Sequence, residues 1–382
     1  MRIAMFSNAY LPTISGVVNS ISLFRKGLIT AGHDVHVFAP EYEDYDDEEP
    51  YIFRFPALDL SDQLDISLVY PIKNFIEPTL EGIQPTLIHS QHPVWMGDLA
   101  ASFARTLNIP LVFTFHTQYE KYAQHYLPMI PGLASRITEE LIRRYLRQCA
   151  HIVVPTESIR EMLINDYDIE QGVSTVPTPV DMRKFRDLNP DKVRARFGFH
   201  EAEVLLFVGR LATEKGLDML VDAFTLIQAL RPGTRLLLVG RGPFEGGLKD
   251  RFENLGLSEF VIFTGAVPYE DIPDYYAAAD LFVFPSTTET QGLVIIEAMA
   301  AGLPVVAVRA PGSIDVLNKG GGILTDNKPA ALAWGVVGVL ADSEKQMELK
   351  EQGQRAVERY SISDTTERML DAYETALSNW QS

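Results

Sequence analysis

Two carboxylates, Glu289 and Glu297, are the side chains whose type and spacing indicate chemistry most directly. Seven residues separate them, and they follow the apolar run Asp280–Phe284, which predicts a buried parallel strand. Residues Leu293–Ala301 predict the helix that comes next. Both acids are therefore expected at the carboxyl edge of a sheet, where open α/β sheets bind their ligands.

The loop between this strand and helix suits a ligand rich in hydroxyl groups. Glu289 stands in a Ser/Thr-rich stretch whose carboxylate and amide groups can surround such a molecule. The amino end of the following helix would also favour phosphate, because its N–H groups lack helical partners and its dipole is positive. Acids near a helix start can also simply offset the dipole, so the two glutamates alone leave that structural role open.

The sequence around the two glutamates resembles the signature of glycosyltransferase family 4. That signature is Glu, seven residues, Glu, a stretch of small residues and Gly-x-Pro-Val-Val, and this chain matches it through Gly302, Pro304 and Val306. The resemblance implies a retaining glycosyltransferase that uses a nucleotide sugar. It also implies the GT-B fold, an α/β architecture of two Rossmann-like domains facing a central cleft, with a C-terminal helix crossing back to the first domain.

Strand-like apolar runs alternate with helical patterns along the chain, as expected for parallel α/β folding. The predicted strands are Ile3–Ser7, Asp34–Phe38, Leu87–His89, Leu111–Thr114, Ile152–Pro155, Val204–Val208, Leu236–Val239, Val261–Thr264, Leu281–Phe284 and Pro304–Ala307. Two prolines in Val176–Asp181 predict an interdomain linker. By the resemblance, residues 1–178 form an acceptor domain completed by a returning helix at 361–382, and residues 179–360 form the donor domain.

Gly209, Arg210 and Lys215 follow the first predicted strand of the donor domain. The glycine permits a tight turn, and the two cations can reach a single diphosphate. Positive charge at this place suits a leaving group that departs with extra negative charge, because stabilising charge that develops in the transition state accelerates the step. The family places an equivalent Arg and Lys on the donor pyrophosphate, so the resemblance implies that role for Arg210 and Lys215.

The resemblance assigns the remaining donor contacts to residues at the same edge of the second sheet. Glu297 binds the ribose hydroxyls, and the backbone at Val267 meets the nucleobase. The donor sugar's hydroxyls are held by Glu289 and by the amides that follow it, at Thr290, Gln291, Gly292 and Leu293. We expect the nucleotide to be UDP.

Two further site residues come from the first domain. Gly16 lies in a turn after the first strand, where the family has a glycine-containing loop that meets the donor; many members carry Gly-Gly where this chain has Ser15-Gly16. His116 directly follows an apolar strand, and a family histidine at this place contacts the sugar and assists at the reaction centre. A lone histidine after a strand can also be structural.

The resemblance implies transfer with retention at the anomeric carbon. The acceptor hydroxyl attacks on the face from which the diphosphate leaves, and its proton passes to a departing phosphate oxygen. Arg210 and Lys215 stabilise that phosphate, whereas His116 and Glu289 position the sugar. This scheme requires neither a metal nor another cofactor.

The acceptor is expected to be diacylglycerol or a related lipid, because His116–Pro128 is similar to family members that glycosylate such lipids. Beyond it, a basic amphipathic stretch can rest on an anionic membrane through Arg136, Arg143, Arg144 and Arg147, or can be an ordinary surface helix. A soluble sugar or a polyol phosphate is the alternative acceptor. A GT-B sugar-nucleotide epimerase, which transfers the sugar to no acceptor, is the alternative activity.

Composition limits the remaining classes. A chain of 382 residues with 46% hydrophobic residues fits two globular domains, and a net charge of −18 argues against nucleic acid as a partner. The single cysteine, Cys149, cannot form an internal disulfide and is interpreted as packing. No apolar run approaches the roughly 20 residues that span a bilayer. A cytoplasmic protein, peripheral on the inner face of the cell membrane, is therefore expected.

Two patterns that resemble metal sites are interpreted otherwise. The acidic stretch Glu41–Glu49 contains Asp44-Tyr-Asp46 and predicts a solvated loop, because a hard cation needs converging ligands rather than a high density of acids. His89 and His92 are three residues apart, without a nearby cysteine or third histidine, and are interpreted as loop or acceptor-pocket residues.

Overall fold

The computed structural model describes residues 1–13, 15–59, 67–69, 73–118, 131–169 and 172–381. Within these ranges only the backbone is described at 57–59, 67–69, 131–136 and 381. The chain divides into two compact units, one formed by Met1–Pro179 with Ile362–Ser382 and the other by Val180–Ser361. They are called here the N-terminal unit and the C-terminal unit.

The N-terminal unit is built on a parallel sheet of seven strands in the order β3-β2-β1-β6-β7-β8-β9. Its strands are β1 (Arg2–Phe6), β2 (Asp34–Pro40), β3 (Ile52–Phe55), β6 (Leu87–Ser90), β7 (Leu111–Thr114), β8 (His151–Val154) and β9 (Val173–Thr175); a separate antiparallel pair joins β4 (Ala57–Asp59) and β5 (Ser67–Val69). Its helices are α1 (Gly16–Thr30), α2 (Lys73–Ile83), α3 (Met96–Leu107), α4 (Pro131–Leu146) and α5 (Glu157–Tyr167).

The C-terminal unit repeats this plan with six parallel strands in the order β12-β11-β10-β13-β14-β15. Its strands are β10 (Val204–Val208), β11 (Arg235–Val239), β12 (Val261–Gly265), β13 (Leu281–Phe284), β14 (Val305–Val308) and β15 (Gly322–Thr325). Its helices are α6 (Pro190–Phe197), α7 (Leu217–Leu230), α8 (Glu245–Asn254), α9 (Ile272–Ala278), α10 (Leu293–Ala300), α11 (Pro311–Leu317), α12 (Pro329–Leu340) and α13 (Ser343–Ala356), with short 3-10 turns at Met182–Phe185, Thr213–Lys215, Ser258–Phe260 and Val357–Tyr360.

The central strands are continuous apolar runs because both of their faces are buried. In β10, Val204 and Leu206 belong to one hydrophobic cluster, whereas Leu205 and Phe207 belong to another. Successive side chains of a strand point to opposite faces, so one strand contributes to both core layers. The prediction of a parallel α/β fold from these runs is confirmed.

The final helix, α14 (Ile362–Gln381), belongs to the N-terminal unit, where it packs against α1 and β8. Its residues Met369 and Tyr373 are fully buried in the cluster that also contains Ile3 and Met5 of β1. The prediction that a C-terminal helix returns to the first domain is confirmed. No helix in the described ranges combines the length and the apolar character that crossing a membrane requires.

Within the described residues, five strands were not predicted from the sequence: β3, β4, β5, β9 and β15. All are short, and each lies either at a sheet edge (β3, β9 and β15) or in the separate pair (β4 and β5), where a strand needs no long apolar run. The β3 sequence carries Arg54, and β15 begins with Gly322 after two further glycines. Charged side chains and glycine are uncommon in strands, so the sequence pattern did not indicate β3 and β15.

Candidate active site

The strand order of the C-terminal unit reverses between β10 and β13, which are hydrogen-bonded neighbours. The loops that leave their carboxyl ends therefore diverge to opposite sides and open a crevice, the usual ligand position in a doubly wound sheet. One of these loops carries Arg210 and Lys215, and the other carries Glu289. The predicted diphosphate and sugar residues thus come from the two loops of this switch point.

Lys215 and Glu289 are brought into direct contact there. The Lys215 Nζ donates to Glu289 Oε1, and the two side chains are 16% and 27% exposed. The Ser286 hydroxyl lies 3.4 Å from the same carboxylate oxygen. A second bond joins the loops, from the Thr288 hydroxyl to the Glu214 carbonyl at 3.3 Å. A cation and a carboxylate are therefore held side by side at the mouth of the switch point.

Gly216 explains why the two loops come so close. It ends the Thr213–Lys215 turn with a φ of +70°, a conformation that favours glycine. A Cβ at this position would lie 2.5 Å from the Pro285 carbonyl oxygen. Any side chain here would push the Lys215 loop away from the Glu289 loop.

The neighbouring turns are also packed backbone against backbone. The Gly240 N–H donates to Gly265 O at 3.1 Å, and a Cβ on Gly240 would lie 2.0 Å from Gly209 O. Arg210 follows Gly209 and is half-buried, and Val267 is half-buried against the core. The turns after β10, β11 and β12 therefore form one contiguous edge that includes Gly209, Arg210 and Val267.

The segment Thr290–Leu293 continues from Glu289 to the start of α10. Gln291 and Gly292 are buried, and Gly292 has a φ of +72° immediately before the helix. On its other side the segment meets Gly312, where a Cβ would lie 3.0 Å from the Glu289 carbonyl. The backbone around the glutamate is thus fixed from both sides.

Glu297 lies in the second turn of α10 and is 6% exposed. Its Oε2 accepts a hydrogen bond from Tyr276 at 2.8 Å, and its Oε1 accepts a longer one from Tyr269 at 3.5 Å. Burial raises the pKa of the carboxyl to about 7, although both hydroxyls and the charge of Lys184 favour the ionised form. A buried carboxylate with a perturbed pKa beside a ligand crevice is a candidate binding group.

The N-terminal unit has its own switch point, between β1 and β6. At this edge the His116 Nε2–H donates to the Gln91 side-chain oxygen at 2.7 Å, and the Gln91 N–H donates to Phe6 O at 2.9 Å. Burial, with the nearby His92 and His89, holds the pKa of His116 well below its usual value. His116 is therefore a neutral imidazole whose Nε2 carries the proton.

The loops around His116 are tied together by Asn8 and His92. The Asn8 N–H donates to His92 Nδ1 at 3.2 Å, and the Asn8 side-chain oxygen accepts from Met96 N at 3.1 Å. In the same unit, Gly16 opens α1 after Ser15, whose hydroxyl accepts from Val18 N. Ser15 thus caps the helix where many family members carry glycine.

The interpretation of His89 as a loop or acceptor-pocket residue is wrong. His89 lies inside β6, is 1% exposed, and bonds through Nδ1 to the Tyr373 hydroxyl and through Nε2 to the Thr114 hydroxyl, both at 2.7 Å. Burial lowers its pKa to about 3, so it stays neutral. Its function is to join α14 to the sheet. Only His92 of this pair lies in a loop.

The prediction that Glu41–Glu49 is simply solvated is also wrong in part. Asp47 is 14% exposed and makes a two-point ion pair with Arg54, at 2.6 and 2.8 Å. Glu49 pairs with the buried Arg25. Asp44 and Asp46 are exposed, and no group of three or more metal-ligating side chains occurs among the described residues.

The basic amphipathic stretch divides into two sets of residues in the structure. Arg143 forms ion pairs with Glu139 and Asp168, at 2.7 and 2.6 Å, so it does not belong to an open basic surface. Arg144 in α4 and Arg147 just beyond its end are exposed, and Ile137 and Leu141 of this helix are 53% and 55% exposed. The side chain of Arg136 and the segment 119–130 lie outside the described part of the chain.

Four residues near the site were not singled out from the sequence: Gln91, Lys184, Tyr269 and Tyr276. Gln91 follows β6 directly, so its position at a strand end was a usable signal. Tyr276 stands in the apolar pattern of α9, which indicates only packing. Lys184 and Tyr269 lie 85 residues apart, yet the ammonium is 3.7 Å from the ring centroid, a contact that no local pattern reveals.

Comparison with known protein families gives two matches that together cover most of the chain. The model described as Glycosyltransferase Family 4 matches residues 14–184. The model described as Glycosyl transferases group 1 matches residues 190–356.

Curated relatives align over most of their own length. The alpha-monoglucosyldiacylglycerol synthase of Streptococcus pneumoniae is 32% identical over 314 residues, covering 80% of this chain and 71% of that protein. The protein of the same name from Acholeplasma laidlawii is 31% identical over 321 residues, covering 80% of each. The GDP-mannose-dependent alpha-mannosyltransferase of Corynebacterium glutamicum is 31% identical over 358 residues, covering 87% of this chain and 80% of that protein.

Solved structures agree in fold along the chain. Sucrose-phosphate synthase from Thermosynechococcus elongatus superposes with a TM-score of 0.79 at 21% identity, covering 98% of both chains. Anabaena HepE, in complex with UDP and glucose, superposes with a TM-score of 0.78 at 20% identity, covering 97% of this chain and 98% of that chain. This chain belongs to glycosyltransferase family 4 and has the GT-B fold.

Proposed function

We propose that this protein is a retaining hexosyltransferase that moves a hexose from a UDP-sugar to a hydroxyl of diacylglycerol or a related lipid. The observation that carries the donor half is the Lys215–Glu289 contact at the switch point of the C-terminal unit. It supports a site in which a cation that can bind a diphosphate lies beside a carboxylate that can bind hydroxyl groups. The lipid acceptor is supported by the names of the two relatives from Streptococcus and Acholeplasma.

In the proposed complex the donor lies along the carboxyl edge of β10 to β13. Lys215 and Arg210 bind the diphosphate after the tight turn at Gly209, and Glu289 binds sugar hydroxyls together with backbone amides. Those amides belong to Thr290, Gln291, Gly292 and Leu293. Glu297 binds the ribose, and the backbone at Val267 meets the base.

The ion pair suggests how donor binding and chemistry are linked. Before the donor arrives, Glu289 neutralises Lys215, so neither charge is left alone in a partly buried place. A bound diphosphate offers Lys215 a stronger anionic partner, and the sugar hydroxyls offer Glu289 hydrogen-bond donors. The same two side chains then face the bond that breaks.

The proposed step proceeds with retention. The acceptor oxygen forms a bond to the anomeric carbon on the face from which the diphosphate leaves, and the acceptor proton passes to a departing phosphate oxygen. Arg210 and Lys215 stabilise the negative charge that develops on the diphosphate. Neutral His116, in the N-terminal unit, can bind an uncharged hydroxyl group through a hydrogen bond. Positive charge comes from these side chains, and the scheme assigns no step to a metal.

The exposed part of α4 supports a peripheral position at an anionic membrane. Ile137 and Leu141 are one helical turn apart and exposed, and Arg144 and Arg147 follow them. Apolar side chains bordered by arginines suit the interface of an anionic bilayer. A lipid acceptor would be reached from such a position.

The donor nucleotide has a specific rival. The Corynebacterium relative, which covers more of this chain than the two lipid enzymes, is named for GDP-mannose. Because the base contact is proposed to run through the backbone at Val267, the side chains at this edge do not select between the bases. Transfer of mannose from GDP-mannose is therefore the second candidate.

The test is a transfer assay with UDP-glucose, UDP-galactose and GDP-mannose. Each donor is supplied with vesicles that contain or lack diacylglycerol, and separately with soluble sugars and polyol phosphates. We expect UDP to be released only when diacylglycerol is present. The product should be an α-linked glycolipid, and NMR measures its anomeric configuration. A β-linked product would contradict retention, and turnover only with soluble acceptors would contradict the lipid assignment. A new sugar nucleotide without acceptor would indicate an epimerase.

A further inference from the structure

The carboxylate of Glu297 has two hydrogen-bond donors that differ in character. Tyr276 is fully buried and donates to Oε2 at 2.8 Å. Tyr269 is half-buried and reaches Oε1 only at 3.5 Å, near the limit of a hydrogen bond. One oxygen is therefore firmly held, and the other has a weak, more accessible partner.

Tyr276 is itself rigidly placed. Its ring packs against Phe282 of β13 and Phe185 of the Met182–Phe185 turn, with ring centroids 5.7 and 6.3 Å away. Burial and the adjacent Glu297 raise the pKa of its hydroxyl well above the usual value. Tyr276 thus remains protonated at any working pH and donates continuously to Glu297.

We propose that Tyr276 is a positioning residue for donor binding: it fixes Oε2 of Glu297 and so presents Oε1 to the two ribose hydroxyls. Tyr269 occupies Oε1 without donor and releases its long bond when the ribose arrives. A carboxylate can accept several hydrogen bonds, so the bond to Tyr276 persists while the ribose binds. This inference rests on the proposed role of Glu297 in binding ribose.

The arrangement has a consequence for pH dependence. The charged and titratable groups that act on Glu297 among the described residues are Tyr276, Tyr269 and Lys184, and all three favour its ionised form against the effect of burial. Removing the Tyr276 hydroxyl removes a bond that stabilises the carboxylate, so the pKa of Glu297 rises. Binding that needs the carboxylate then requires a higher pH.

The test compares Tyr276→Phe with Tyr275→Phe by calorimetric titration of UDP and GDP into the full chain between about pH 6 and 9. Tyr275 is a matched control, because it is also buried and its hydroxyl accepts from Arg196 at 3.1 Å. For Tyr276→Phe we expect nucleotide binding at pH 7 to be about tenfold weaker, because a hydrogen bond to a charged group is lost. The midpoint of the pH dependence of binding should lie about one pH unit higher. Tyr275→Phe should keep the wild-type midpoint. In turnover, Tyr276→Phe should raise the donor KM and leave kcat nearly unchanged.

Two further variants separate the possible failures. If Glu297→Gln binds nucleotide as the wild type does, the ribose role of Glu297 is wrong. If Glu297→Gln binds weakly while folded Tyr276→Phe keeps the wild-type affinity and midpoint, only the positioning role is overturned. Should Tyr276→Phe not fold, 3-fluorotyrosine at position 276 retains the ring and strengthens the hydroxyl as a donor. It should move the midpoint to lower pH, and an unchanged midpoint would overturn the proposal.

Discussion

The two sheets have a switch point at the same place in their topology, and the side chains there differ in charge. At β10 and β13 of the C-terminal unit, a lysine and a glutamate form an ion pair, and a second glutamate titrates near neutrality. At the corresponding edge of the N-terminal unit, burial holds two histidines neutral: His92, which follows β6, and His116, which follows the neighbouring β7 and bonds to Gln91. One edge thus carries charged side chains, and the other carries neutral imidazoles. A shared fold thus leaves the chemistry to a few loop residues.

The largest effect should follow from removing the cation of the charged edge. Lys215→Ala removes the charge that we propose stabilises the departing diphosphate, and it also removes the ion pair with Glu289. We expect kcat/KM to fall by about 100- to 1,000-fold, the usual loss for one group that stabilises transition-state charge. Lys249→Ala is the control, since Lys249 forms a surface pair with Glu245. Turnover of Lys215→Ala close to that of the control would remove Lys215 from the mechanism.

Glu297 should limit stability because its carboxyl group is buried. Its pKa is about 7 in the folded protein against 4.5 ordinarily, so the folded state binds more protons and loses stability as the pH rises through this window. Glu297→Gln should therefore raise the free energy of unfolding, by an amount that grows with pH to about 3 kcal/mol at pH 8. Denaturant titrations at several pH values measure this difference. The control is Glu140→Gln, the same substitution at an exposed glutamate. If Glu297→Gln raised the free energy of unfolding by the same amount at every pH, this explanation would be wrong.

A smaller effect is expected at the surface of α4 and Arg147 that we propose faces a membrane. Each arginine near an anionic bilayer contributes about 1 kcal/mol, so Arg144→Ala with Arg147→Ala should weaken vesicle binding by about 30-fold. Arg143→Ala should lower stability instead, because Arg143 pairs with Glu139 and Asp168. Sedimentation with anionic vesicles at two salt concentrations separates these outcomes. Equal vesicle binding by the double variant and the wild type would exclude this surface.

The smallest effect concerns the neutral edge. Because burial and the neighbouring imidazoles lower the pKa of His116, we expect no protonation of this ring between about pH 6 and 9. Any change of activity in that range should come from Glu297 and persist in His116→Asn. NMR of labelled histidine follows the ring directly. A His116 titration near pH 6.5 would contradict the contrast between the two edges.

The sequence predicted the fold well where strands are central. All ten predicted strands occur in the structure. Parallel strands that are buried on both faces have continuous apolar sequences, such as Val204–Val208, which are easy to recognise. The short edge strand β15 was missed because glycines precede it. The sequence motifs identified Lys215 and Glu289 as site residues. Their direct contact was visible only in the structure, because the two residues are 74 positions apart in the sequence. Tyr276 could not be distinguished from core packing, since its hydroxyl matters only through Glu297 on another helix.

Hydrogen–deuterium exchange of the full chain with and without UDP shows whether the donor binds along the carboxyl edge of β10 to β13. If it binds there, residues 209–216, 264–269 and 286–297 should exchange more slowly with UDP present. Arg143 and its neighbours in α4 should exchange as before. Protection confined to other parts of the chain, with these three segments unchanged, would show that the donor binds elsewhere.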